Sequence, residues 1–428
     1  MAAINIPYGS PLAAKVFGAA VFAGVQVQTG FMNLLSGGAP DLSGAAAKMK
    51  GQTSEDYPVV KVTDLSKTAG DSVSVDLFNI FTGKPVVGDK RLTGRGMTTT
   101  SSSQDVKINQ LRGMAENGGK MTQKRTRHNL RTIVQAGLTN WAGRLEDQTA
   151  LVHLAGARGT QNTVDWVIPT SDDPDFSEIM INTVKPPTLN RYYCANDATS
   201  PADIGTNDWL SFRDVERIAS LITDTTVPLQ SVKIKGDDYA WNSPLYVLFV
   251  TARQWLYLKR TALNANGNPS GSPYMAALTY AVERFKGQKH PLFSGDTMMW
   301  SNILIKPMNR LAIRWAAGDS VLIPQSANDD VGTAVTAAQP IDRAILVGAQ
   351  ALIKAYGNEG TSDYFYSWNE ELTDHKNSVE ISLAMMAGTA KTRFSINGVL
   401  TDHGVVVIDS YAPDPASAAG QTLLASAT

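Results

Sequence analysis

Cysteine is nearly absent. Cys194 is the one thiol in 428 residues. A disulfide framework within the chain is therefore excluded, as is a cysteine metal site, and a reducing cytosol is the natural place of synthesis. Net charge is missing too. Lys and Arg number 38 against 39 Asp and Glu, so no global field draws the chain toward nucleic acid or a membrane. Any basic surface must be local. Long hydrophobic runs are also lacking: the apolar stretch Val16 to Val27 is too short to span a bilayer. It has neither the positive flank nor the small-residue cleavage site of a signal peptide.

The motifs that carry catalysis are equally scarce. Gly83-Lys84 and Gly119-Lys120 lack the upstream glycine and following Ser/Thr of a phosphate-binding loop. There is no H-E-x-x-H, no G-x-S-x-G and no G-x-G-x-x-G. The five histidines are scattered without metal-ligand spacing. SDDPD (Ser171 to Asp175) lacks the glycine and distal glutamate of a calcium loop and reads as a solvated acidic turn. Cys194 reads as an inert small side chain. No metal, cofactor or reaction is indicated.

What is present is 43% hydrophobic sequence, ample for a sizeable core, and a length that implies two or three domains. Phe17, Val21, Gly24, Phe31 and Leu35 recur at helical spacing and mark an N-terminal stripe. A lone stripe must dock on the body or on a neighbour. Val73, Val75 and Leu77 alternate with polar residues, and Val106 and Ile108 supply a return strand. The spacing predicts an extended hairpin over 70–111, with a bulge at Phe78 and a turn at Thr82 to Pro85. Thr98 to Ser103 is a polar tract with little to bury.

A long helix is expected from Lys120, with Leu130, Val134, Leu138, Trp141, Leu145 and Val152 on one seam and a stop at Gly156 or Gly159. Residues 160–208 read as loop. Ser211 with Asp214, and Leu210 with Val215, predict a capped and stapled helix start. Pro244 to Val250 reads as a buried strand, followed by a helix through Trp255 and Leu258. Ser272 and Pro273 predict another helix start, with Tyr274, Leu278, Ala281 and Phe285 on its face. Asn302 to Trp315 reads as two paired strands, and Ala344 to Gly357 as an apolar helix. The last quarter is β, and the Ala/Ser-rich tail after Pro413 is expected to be mobile.

The start of the long helix carries Lys120, Lys124, Arg125, Arg127 and Arg131, with no carboxylate between Asn117 and Leu145. Cations oppose the positive end of a helix dipole. Three readings stand: a solvated face, ion pairs with a neighbouring chain, or contact with packaged phosphates.

The order of these pieces resembles the major capsid proteins of tailed phages with the Hong Kong 97 fold, and more closely the capsid family of the N-four-type phages. The resemblance runs from about Ser10 to Ala412. PLAAKVFGAAVFAGVQVQTGFMNLLSG is similar to the family's arm, GKPVVGDKRLTG to its hairpin segment and KMTQKRTRHNLR to the entry of its spine helix. PLFSGDTMMWSNILIKPMNRLAIRW, AILVGAQALIKAYG and DHGVVVIDSYA are similar to later segments.

It implies an α+β capsid fold with an arm over 1–55, an extended loop over 56–120 and a peripheral domain with a spine helix over 121–211. An axial domain would follow over 212–360, then peripheral strands over 361–412 and a flexible tail over 413–428. It implies a non-enzymatic shell subunit, forming hexamers and pentamers around double-stranded DNA in the virion. Scaffold, portal and decoration proteins are implied partners; a membrane and cofactors are not. Contacts between subunits would fall on Phe17, Val21, Phe31 and Leu35 of the arm and on Gly83, Lys84, Lys90 and Arg91 of the loop. The five cations of the helix start would face the lumen or a neighbour. A protein compartment of the same fold and an enzyme with an unrecognised site are the other readings.

Overall fold

A computed structural model describes residues 11–28, 30–36, 56–62, 70–78, 84–93, 101–162, 165–225, 227–234, 243–260, 277–282, 292, 296–308, 310–357, 366–396 and 398–425. Two sheets organise it. Helices α1 (Pro11–Gln28) and α2 (Gly30–Leu35) precede strand β1 (Val59–Val62) and the hairpin β2 (Ser72–Phe78) and β3 (Ser101–Lys107). Strand β4 (Asn109–Gly119) leads into α3 (Lys120–Arg125), α4 (Leu130–Ala155) and α5 (Pro174–Ile179). Next come β5 (Tyr192–Cys194), α6 (Phe212–Thr223), β6 (Tyr246–Val250), α7 (Ala252–Arg260), β7 (Met298–Trp300), β8 (Ile303–Pro307) and β9 (Ile313–Trp315). The chain continues through β10 (Ser320–Ile323), β11 (Thr333–Thr336), β12 (Ile341–Val347), β13 (Leu352–Tyr356), β14 (Tyr366–Thr373) and β15 (Ser378–Lys391). It closes with β16 (Arg393–Ile396), β17 (Val399–Asp402), β18 (Val405–Tyr411) and helix α8 (Ala418–Ala425).

The seven-stranded sheet runs β5-β18-β12-β6-β8-β7, with β9 also on β12. Its central strands YVLFV, IDRAILV and VVVIDSY are buried along their whole length. One face packs on the main core, and the other lies under α6 and α7. The five-stranded sheet runs β1-β13-β15-β14, with β4 pairing the front half of β15. Along that half, burial alternates residue by residue, as a sheet covered on one face requires. The covering element is α4, with α1 beside it.

The region 344–357, expected as a helix, is instead β12 and β13 joined by a tight turn. A Cβ at Gly348 would overlap the Gln230 carbonyl oxygen, and Gln350 has φ 53°. An apolar run buried on all sides has no periodicity to separate strand from helix. Strands β8 and β9 form as expected but are not partners. β8 sits between β6 and β7, while β9 pairs β12 with Arg314 opposite Asp342.

The long helix does not begin at Lys120. It is broken after Arg125, and α4 starts at the Asn129 cap, whose side chain accepts the Arg131 N–H. Polar side chains hold the break. Thr126 Oγ1 accepts from His128 N–H, and the Gln123 amide donates to the His128 carbonyl and accepts from Leu130 N–H. The stop at Gly156 is left-handed, with φ 68°; a Cβ there would meet the Lys185 carbonyl at 2.6 Å.

The N-terminal stripe docks on its own body. Val21, Phe31 and Leu35 are buried in the core of the same chain, and Phe17 packs on Trp368 with ring centroids 5.5 Å apart. Val21, Phe31 and Leu35 are thus covered by their own chain, and Phe17 stays half-buried. The described part of the tail forms α8, with Leu423 packed against the core. No bulge occurs at Phe78, which pairs Ser101 in continuous register, so half of the polar tract joins the ladder. SDDPD opens α5, with Asp173 as its cap. β5 and β18 belong to the seven-stranded sheet, although they lie outside 212–360. The capping box at Ser211 and the buried face Phe212, Val215, Ile218, Ile222 form as expected. Ser272, Pro273, Tyr274, Phe285, Gly83 and the segment 37–55 lie outside the described residues.

Candidate functional site: an assembly surface

The hairpin is rooted in a small core of its own: Val73 and Val106 pack with Val60, Val62, Ile353, Ala355 and Ala390. Gln104 ties it to the body, donating to the Lys391 carbonyl and accepting the Arg393 N–H, each at 2.8 Å. Asn182 makes a two-way bond with the Lys107 backbone at 2.8 and 2.9 Å. Gly388 lets the strands cross, because a Cβ there would overlap the Lys107 carbonyl. Along the apolar face of β2 burial falls outward from this root, from Val73 to half-buried Val75.

The described part of the loop, 84–93, is open. Lys84, Lys90 and Arg91 are exposed, and so are Val87 (70%) and Leu92 (73%).

The helix-start cations divide. Lys120, Lys124, Arg125 and Arg127 are exposed and make no ion pair among the described residues. Arg131 belongs to the interior. Its guanidinium forms a two-pronged pair with Glu370 at 2.7 and 2.6 Å and lies 4.3 Å from the Phe17 ring centroid. It anchors α4 to β14 and α1, so this guanidinium, expected at the lumen or a neighbour, is spent inside its own chain. No local signal marks it, since its partner is 239 residues away.

Sequence reasoning also missed the buried ionic framework. Arg343 and Asp409 pair at 2.7 Å through both nitrogens in the middle of the seven-stranded sheet, and Arg343 also reaches the Ala155 carbonyl at the end of α4. Arg314 pairs Asp342. Asp402 accepts from Lys391 and Arg393, and Arg393 continues to Asp330. Buried pairs of this kind fix relative positions more than they add stability.

Titration follows burial. The Cys194 thiol is pushed up to about 12 by burial, with Asp409 nearby, which makes it a poor nucleophile. His153 is held down to about 3 by burial, with Lys391 and Lys354 nearby. Asp147 is raised to about 6 by burial, although it accepts the Met32 and Phe31 N–H groups at 2.9 and 3.4 Å. Among the described residues, no group of three His, Cys, Asp or Glu is arranged to hold a metal ion. No described helix is long and apolar enough to cross a membrane.

A curated relative, the major capsid protein of Pseudomonas phage KPP25, is 24% identical over 361 residues, 81% of this chain and 86% of the relative. Among solved structures, the capsid of Ralstonia phage GP4 aligns with TM-score 0.67 and 26% identity over 97% of this chain and all of that one. The capsid of cyanophage Pam1 aligns with TM-score 0.52 and 16% identity over 87% of this chain and all of that one. The fold of sheets, long helix and projecting hairpin is thus Hong Kong 97-like. With the family model described as phage capsid protein matching residues 5–414, the chain belongs to that family.

Proposed function

We propose that the chain is the major repeating subunit of an icosahedral phage shell, assembling into hexamers and pentamers around double-stranded DNA. The observation that carries this reading is the hairpin. It is anchored in the body, yet its loop leaves Val87 and Leu92 uncovered. Removing such surface from water between copies couples assembly to stability. Many repeats of one modest contact then add up over a closed shell.

In this reading 56–120 is the loop that reaches a neighbour. The body around α4 and the five-stranded sheet is the peripheral part, and α6, α7 and the seven-stranded sheet form the axial part. Lys120, Lys124, Arg125 and Arg127 are proposed to meet packaged phosphate. That contact would be independent of DNA sequence and weaken with salt. Synthesis in a bacterial cytoplasm and residence in the virion follow.

Expression of the chain, followed by sedimentation and negative-stain microscopy, tests this. Closed particles of uniform size are expected. A chain that stays monomeric at every concentration would refute it.

A further inference from the structure

A cavity of about 320 Å³ lies where three separate stretches of the chain meet. Helix α4 gives one wall through Asn140, Arg144, Asp147 and Gln148, whose spacing puts them on one helix face. Helix α2 gives Phe31 and Leu34, one turn apart. The third wall comes from the ends of two strands of the seven-stranded sheet: Phe249 on β6, Lys306 opposite it on β8, and the segment that follows through Met308 to Leu311. Phe31 and Phe249 meet edge to face, with ring centroids 4.9 Å apart, and make an apolar floor. Asn140 and Arg310 stand exposed at the rim.

The charges around this cavity do not cancel. Arg310 pairs Asp165 at 3.1 Å. The Asp147 carboxylate is turned to α2, where it accepts the Phe31 and Met32 N–H groups. The Gln148 amide is spent on the backbone of Asp165, Val167 and Ile168. Arg144 is left over. It forms no ion pair among the described residues, and its Nε is buried with no acceptor. A buried donor without a partner costs stability that an incoming acceptor would return. Lys306 adds a second cation; its ammonium donates to the Leu292 carbonyl at 3.2 Å, and burial lowers its pKa.

Ligand sites combine apolar walls with a few convergent polar groups, in volumes from about 300 Å³ upward. This cavity has room for roughly ten non-hydrogen atoms. One planar guanidinium fork matches one carboxylate, with two bonds to two oxygens. A phosphate carries more charge and more oxygens, and would call for donors that apolar walls do not supply.

We propose that this cavity binds a small carboxylate with an apolar body, its head on Arg144 and its body against Phe31, Leu34, Phe249 and Leu311. Such a ligand would tie α2 to α4 and to the segment after β8, and so stabilise the folded chain by mass action. Binding needs only the single chain, so it does not depend on the shell reading.

Octanoate is the probe, and octan-1-ol is its neutral match. By calorimetric titration octanoate should bind the full-length chain one to one, with Kd on the order of 0.1 mM, and should raise its melting temperature. Octan-1-ol should bind more weakly by roughly tenfold or more. Arg144→Met keeps the apolar stem of the side chain. It should weaken octanoate binding by roughly tenfold or more, while the unliganded chain melts no lower than the wild type. Leu311→Trp fills the cavity and should abolish binding with Arg144 in place. No binding by the wild type at about 1 mM octanoate would overturn the proposal, as would equal affinity for the alcohol. Undiminished binding by folded Arg144→Met or folded Leu311→Trp would overturn it as well. Should either variant misfold, the acid and alcohol compared on the wild type still decide.

Discussion

The two sheets place their charges in opposite ways. In the seven-stranded sheet Arg343, Asp409 and Asp342 are fully buried, and each has its partner inside the chain. In the five-stranded sheet one face is equally closed, with Glu370 paired to Arg131. The other face leaves Glu116, Glu380 and Glu371 exposed or half-exposed, with no ion pair among the described residues. One sheet is complete within a single molecule. The other pairs its charges on one side only, among the described residues.

The sharpest way to break the contrast is to unbalance the closed side. Arg343→Met leaves Asp409 charged and buried, and should cost about 3–5 kcal/mol by urea unfolding. Pairing it with Asp409→Leu should recover much of that loss. If the single variant is as stable as the wild type, the pair is not the clamp the geometry describes. Next in size is the N-terminal stripe. Leu35→Ala removes a fully buried side chain and should destabilise the lone chain by about 2–5 kcal/mol. An arm that met only a neighbour would instead leave the unassembled chain unchanged, and deletion of residues 1–36 should show the same distinction.

How much of this is legible in the sequence depends on where each signal lies. The capping box at Ser211 and the alternation of Val73 and Val75 are local, and the structure follows both. The apolar run 344–357 forms strands where a helix is expected, because burial on every side erases period. The break at 126–129 is set by side-chain bonds that compete with the helix, which apolar spacing does not weigh. In sequence Arg131 looks like its exposed neighbours, because its partner comes from β14. The glutamate row is invisible in sequence for the same reason. Its members come from three strands, and only register brings them together.

A pH series sharpens the contrast at smaller scale. His153 has a folded pKa near 3, below its ordinary 6.5. The unfolded chain therefore takes up that proton first, and stability falls as pH drops from about 6.5 toward 3. Asp147 has the opposite sign: its folded pKa of about 6 lies above the ordinary 3.8. Its proton favours the folded chain, so its contribution is present below about 3.8 and is lost as pH rises through 6. It offsets part of the histidine loss. Asp147→Asn should therefore steepen the acid limb of the stability curve, by up to about 3 kcal/mol between pH 7.5 and 4. An unchanged slope in urea titrations across that range would remove Asp147 from the account.

The smallest expected effect on folding falls on the exposed cations. Lys124, Arg125 and Arg127 touch no carboxylate among the described residues, so replacing all three by Gln should change the stability of the lone chain by about 0.5 kcal/mol or less. The reading that assigns them to phosphate requires a different outcome in the particle. DNA retention should fall, and its dependence on salt should flatten, because a surface that neutralises fewer phosphates releases fewer counterions. Equal retention and an equal salt slope would mean that these cations are merely solvated.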